Sequence, residues 1–182
     1  MWVAPVRDKR VFQSIVDYLL KTNERDAAMF ALGCYTGMRF GDIRKLRIND
    51  IRGVSILRFV EEKTGKLREI SLRNKFLSEI LLDYCADKPG MDMFLKSREG
   101  VNGAITRQAA IGILKDVCRR FGITENIGTH TMRKTFAFHF YVKTGDIAFL
   151  MDLLNHSSID ETLCYIGIKQ EQVNRAYVEF DI

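Results

Sequence analysis

Proline is scarce. Only Pro5 and Pro89 interrupt the 182 residues, so nearly the whole backbone is free to be helical. Cysteine is equally thin. Cys34, Cys85, Cys118 and Cys164 show neither a CxxC pair nor Cys/His ligand spacing, which argues against a zinc site. No apolar run reaches the roughly 18 residues of a membrane span. The stretch MWVAPVRDKR turns charged before an apolar segment develops, so it does not read as a signal peptide. Missing too are a P-loop, GxGxxG, HExxH and any carboxylate cluster suited to a divalent cation. Internal repeats, low-complexity tracts and Pro/Gly/Ser linkers are absent. These absences lead us to expect a soluble, cytoplasmic protein whose thiols are reduced and buried, with Cys164 read as a small core residue rather than a nucleophile.

What is present fits one ordinary core: 47% of residues are hydrophobic, and 182 residues is a usual single-domain length, so residues 1–182 are read as one domain. Lys and Arg outnumber Asp and Glu by 28 to 23, a formal net charge of +5 that permits a polyanionic partner without requiring one.

Periodicity gives a mainly α chain with a small antiparallel β-sheet, an α+β class. Val11, Phe12, Ile15, Tyr18 and Leu19 follow helical spacing, and further helices are expected over 26–35, broken near Gly37, and 41–46. The period then changes. Two β-compatible runs, 54–60 and 67–72, flank EEKTGK, where Thr64-Gly65 supplies a hairpin turn. Asn74 caps a helix to about Tyr84, MDMFLKS reads as a short edge strand, and helices follow over 105–121, 131–143, 146–154, 159–166 and 170–180.

The chemistry concentrates in four segments. TGMRFGDIRKL carries Arg39 and, three residues on, Asp42, which either orients a histidine or balances Arg44 and Lys45. EEKTGKLREISL places Lys63 in the turn, a compact cation able to act as a general acid, with Lys66 as an alternative and two solvated lysines as the plainer reading. In GTHTMRKTFAFHF, His130 and Arg133 are one helical turn apart and face the same way, so both can address one phosphate. LNHSSIDETLCYIG puts His156 at a helix junction and Tyr165 nine residues later. His139 lies among aromatics and is read as structural. Tyrosine is a poor nucleophile at its ordinary pKa of about 10 and needs cations or a base nearby; Tyr165 alone among the six tyrosines is so framed.

Taken in order, these residues make nearly the whole chain resemble the catalytic domain of the tyrosine recombinases, the phage-integrase family that includes the Xer resolvases. TGMRFGDIRKL matches the family's TGxRxxEL-like segment, with Asp42 in place of the commoner Glu. LNHSSIDETLCYI matches LGHSSIxxTxxYxH, with Asn155 in place of Gly and no histidine at Gly167 or Ile168. The resemblance implies cleavage and rejoining of double-stranded DNA without metal or nucleotide. Arg39 and Arg133 would clamp the scissile phosphate, Lys63 protonate the leaving 5′-oxygen, His130 assist proton transfer, His156 bond a non-bridging oxygen, and Tyr165 form the 3′-phosphotyrosyl link. It also implies a homo-oligomer on DNA, a tetramer, through the C-terminal helix in KQEQVNRAYVEFDI, whose apolar face is Val173, Ala176, Tyr177 and Phe180; packing in cis is the alternative.

One departure from the family is large. Family members usually carry an N-terminal core-binding domain, and only about ten residues precede the first expected helix. The chain is then either a fragment or a short single-domain form, with weaker and more salt-sensitive DNA binding. Two rivals share the fold or the chemistry: a DNA-binding or regulatory module that has lost turnover, and a type IB topoisomerase-like enzyme.

Overall fold

The computed structural model describes residues 2–168 and 178–179. Helix α1 (Lys9–Thr22) begins where the Asp8 carboxylate accepts from the Arg10 and Val11 amides at 2.6 and 3.1 Å. One residue, Asn23, ends it and caps α2 (Glu24–Thr36). In α2 every residue from Asp26 to Cys34 is buried, so apolar side chains face all directions and the helix can sit only at the centre. Accordingly α1, α5 (Lys75–Cys85) and α7 (His130–Thr144) all pack on it.

Helix α2 stops at Gly37, whose φ of 67° is the left-handed cap conformation that a Cβ disfavours. Short helices α3 (Phe40–Lys45) and α4 (Ile48–Ile51) follow. Strands β1 (Ile56–Val60) and β2 (Leu67–Ser71) then pair antiparallel, Ile56 opposite Ser71 and Val60 opposite Leu67. Gly65, at φ 66°, closes the turn, its amide donating to Glu61 O at 2.9 Å. After α6 (Arg107–Arg120) and α7, the helices α8 (Ile147–Leu154) and α9 (Ile159–Ile166) pack on each other and on the second half of α7.

Two hydrophobic clusters result. The larger surrounds α2 and includes Met132 of α7. The smaller joins Ala137, Leu150, Leu154 and Ile166, with Phe136, Phe140 and Tyr165 against it. The first turns of α7 lie at the seam between them, which is where His130 and Arg133 are.

The expected mainly α class with one antiparallel hairpin is what folds, with differences in detail. The strands are shorter than 54–60 and 67–72. Helix α4 was not foreseen; Asp50 caps it by accepting from Arg47 N at 2.7 Å. MDMFLKS is not a strand: Phe94 and Leu95 are consecutive and both buried, which no alternating edge strand allows, and only isolated bridges form, Arg47 to Met93 and Lys96 to Ala104. Cys164 is exposed rather than part of the core, because Thr162 and Ile166 take the inward face of α9. The helix expected over 170–180 and its oligomerising face lie outside the described residues.

Helices α2 and α7 approach closely at Gly33, where an added Cβ would meet Met132 Cβ at 2.8 Å and Sδ at 2.9 Å. Gly33→Val is therefore expected to lower stability by about 1–3 kcal/mol through overpacking. The test is the urea midpoint at unchanged slope; a midpoint equal to wild type would contradict this packing.

Candidate active site

Arg133 is 5% exposed and its guanidinium is spent largely on backbone. Nη1 donates to Gly37 O at the end of α2, and Nη2 donates to Leu154 O at the end of α8 at 2.8 Å. Its charge also acts on the Tyr165 hydroxyl, lowering the pKa that burial raises. One side chain thus ties the segment that carries Arg39 to the one that carries His156, with Tyr165 under its charge.

Arg39, just beyond Gly37, contacts Glu61 at 2.7 Å. Glu61 follows the first strand of the hairpin, is 3% exposed, accepts from Thr64 Oγ1 at 2.7 Å and has Arg68 at 3.8 Å. Burial alone would raise its pKa, but Thr64 and the charges of Arg39, Arg68 and Arg133 outweigh that and hold the carboxyl below its ordinary value. Asp42 has neither of its expected roles. Its Oδ1 accepts from the Glu62 amide at 2.9 Å, fixing the hairpin, while Lys45 pairs with Glu62 and Arg44 donates to Ile105 O. Its Oδ2 is buried without a hydrogen bond, and burial raises its pKa.

The hairpin also reaches α8. Lys66 donates to Asn155 Oδ1 at 2.8 Å and Arg68 to Leu153 O at 2.7 Å, two cations at the negative end of a helix. Asn155 sits at φ 52°, the left-handed cap that the family's glycine would adopt freely and that asparagine tolerates. Lys66 therefore has a structural partner, whereas Lys63, exposed in the turn, lines a hollow of about 360 Å³ with Arg39, Asp42, Arg107, His130 and Arg133.

His130 begins α7, and its Nδ1 is 3.3 Å from Tyr165 Oη. It keeps an edge open to solvent, yet desolvation by its neighbours, followed by the charges of Arg107, Arg133 and Lys134, lowers its pKa. The ring is neutral at pH 7 and can accept a proton. His156 crosses Tyr165 edge-on, ring centroids 4.9 Å apart. Its Nδ1 is 3.1 Å from Thr162 Oγ1, whose own proton goes to Ser158 O at 3.0 Å. Nδ1 must then carry the hydrogen, which leaves Nε2 bare; His156 can donate through Nε2 only as the imidazolium. Burial pushes Tyr165 up to about 12, against the opposing pull of Arg133 and Arg39. His139 is structural as expected, Nε2 meeting Val6 O at 2.9 Å.

All six expected reactive side chains thus border one region, and Asp42 lies beneath it. Sequence reading missed Glu61, which nothing in the EE pair distinguishes from Glu62, and Thr162, whose hydroxyl sets the His156 tautomer.

The fold is that of tyrosine recombinase catalytic domains. XerA recombinase superimposes with a TM-score of 0.73 at 21% identity, over 97% of this chain and 63% of that one. XerH bound to a palindromic difH substrate, a post-cleavage complex, gives 0.69 at 16% identity, over 98% and 54%. The model of the phage integrase family matches residues 6–172. A probable integrase/recombinase, YoeC of Bacillus subtilis strain 168, is 38% identical over 178 residues, 98% of this chain and 97% of that protein. The chain belongs to the phage integrase family. It spans 63% and 60% of two other curated relatives, both named tyrosine recombinases. Among the described residues no helix is long and apolar enough to cross a membrane.

The pKa of all three histidines, His130, His139 and His156, is lowered from 6.5, with burial the largest cause each time. The folded chain then binds fewer protons than the unfolded one below about pH 6.5, so their contribution is complete above that value and lost as pH falls through it. The melting temperature is expected to drop between pH 7.5 and 5, and the drop to shrink in His139→Gln. A flat profile would contradict the desolvation of these rings.

Proposed function

We propose that this chain cleaves and rejoins double-stranded DNA at specific sites through a covalent phosphotyrosyl intermediate. Tyr165 Oη attacks the scissile phosphorus, the P–O5′ bond breaks, and a 3′-phosphotyrosyl link and a free 5′-hydroxyl result; attack by a 5′-hydroxyl of the partner strand reverses the step. His130 takes the phenolic proton and Lys63 gives one to the leaving oxygen. Arg39 and Arg133 hold the non-bridging oxygens, whose charge grows in the transition state, and His156 joins them once the phosphate has drawn a proton onto Nε2. The observation that carries this reading is the Tyr165 hydroxyl lying 3.3 Å from a neutral imidazole and under the charge of a buried arginine. A phenol pushed up to about 12 is inert without such a base.

Two features support DNA as substrate: the formal charge of +5 and the likeness to XerH in complex with its site. Assembly on DNA as a tetramer through the C-terminal segment, and action in the cytoplasm, belong to the same proposal.

The test is a nicked duplex library with random central sequence, on which cleavage traps the adduct, followed by mass mapping of the linked peptide. Wild type is expected to yield DNA on the peptide containing Tyr165, and Tyr165→Phe none while still binding DNA. Lys63→Ala should slow adduct formation about 10²–10⁴-fold, and a 5′-bridging sulfur, which leaves without a proton, should restore it. An adduct elsewhere, or none from wild type, would overturn the proposal in favour of a binding-only module.

A further inference from the structure

Lys134 follows Arg133 on α7 and has no part in the scheme above. It is 4% exposed, and among the described residues no carboxylate lies within ion-pair distance of it. What its ammonium has instead is two aromatic faces: Nζ lies 4.2 Å from the centre of the Trp2 ring and 4.9 Å from that of Tyr165. A buried cation left without an anion is costly, and ring faces are the compensation available here.

The segment carrying Trp2 is tied down along α7. Ala4 N donates to Asn126 O at 2.9 Å, Asn126 Nδ2 to Trp2 O at 2.8 Å, and Val6 N to Thr135 Oγ1 at 2.9 Å. It also touches the end of α9: a Cβ on Gly167, at φ 78°, would come within 3.0 Å of both Trp2 Cζ2 and Arg7 Nη2. The helix bearing Tyr165 therefore abuts Trp2 at its terminus and Lys134 through the ring of Tyr165 itself.

We propose that Lys134 is a positioning residue for the nucleophile: sandwiched between Trp2 and Tyr165, its ammonium fixes the phenol ring over α7 and favours the anion as the proton leaves for His130. The attraction between a cation and a ring grows when the ring becomes a phenolate, so the contact is stronger in the transition state than before it. The inference rests on the recombinase reading of Tyr165.

The groups facing Lys134 are Arg7 from the N-terminal segment, His130 from its own helix, Tyr165 from α9, and Arg107 and Lys115 from α6, which line the same hollow. Burial first, and the charge of Arg7 second, lower its pKa to about 8. It is charged at pH 7 and discharges within an accessible range.

Trp2 is the chain's one tryptophan, so its emission reads the sandwich without DNA. In wild type the emission should titrate with a midpoint near 8, and in Lys134→Met this step should vanish. Single-turnover adduct formation on the nicked duplex should be about tenfold slower in Lys134→Met at pH 7, a difference of about 1.4 kcal/mol. It should be nearly restored in Lys134→Arg, and the ratio of wild-type to Met rates should fall towards one above pH 8. Loss of a packing contact alone would give a ratio independent of pH. A wild-type emission that does not titrate near pH 8 overturns the proposal with no variant needed. Wild-type adducts with a Met variant equal to wild type at every pH overturn it too, while leaving the recombinase reading intact. Failure of wild type to form the Tyr165 adduct overturns both.

Discussion

The Arg133 guanidinium is the interaction on which the rest of the site depends. Donating to Gly37 O and Leu154 O, it satisfies carbonyls at the ends of two helices from different parts of the chain, in a place where water has been largely removed. The two hydrophobic clusters meet there, the larger holding α2 and the smaller holding α8 and α9. Without the guanidinium, two buried carbonyls would lose their donors, and Arg39 and His156 would lose the common reference that sets their spacing. Gly37 is the complement on the other side. Phe136 Cδ1 would come within 2.5 Å of a Cβ at that position, so the carbonyl reaches Arg133 only because glycine lets α2 end against α7.

A cluster of cations cannot persist in a fold without opposite charge, and Glu61 supplies it. The carboxylate is held by Thr64 and faces Arg39 and Arg68, so the hairpin is bound to the α2–α3 turn by charge and to α8 by Lys66 and Arg68. Arg39 meets Glu61 at ion-pair distance but without an aligned hydrogen bond. That leaves the donors of Arg39 directed by a charge that a phosphate can match, rather than locked into a fork. The contrast with Arg133, two of whose five donors go to carbonyls, separates an arginine that also builds the site from one that is freer to engage a ligand.

Much of this was legible in the sequence. Helical periodicity located α1, α2 and α5 to α9, because each buries one face or all of itself. HxxR and LNHSSI pointed to side chains that the structure gathers around one region, because their spacing is local. What the sequence hid is long-range or degenerate. Glu61 and Glu62 are identical letters, and only the twist of the hairpin turns one inward and the other to Lys45. Trp2 and Lys134 stand far apart in the chain and meet only because residues 2–7 run along α7. Phe94 and Leu95 looked like an edge strand by composition, but both are buried where the segment bends past Leu46. The short helix α4 was lost among charged residues because four residues cannot show a period.

The same low-dielectric setting acts on Tyr165 and His130 in opposite directions, and under the proposed reaction the balance accounts for the arrangement. Burial pushes Tyr165 up to about 12 and lowers His130, so that the acid holds its proton and the base stands ready without one. Exposure to water would bring the phenol closer to its ordinary pKa, but it would also weaken every arginine contact that stabilises charge on a transferring phosphoryl group. Burial with cations nearby retains the strong fields while Arg133 and Arg39 recover part of the penalty on the phenolate. In the proposed reaction the proton transfer becomes favourable only when the oxygen that loses it is forming a bond to phosphorus, which would restrain Tyr165 from reacting before a phosphodiester is in place.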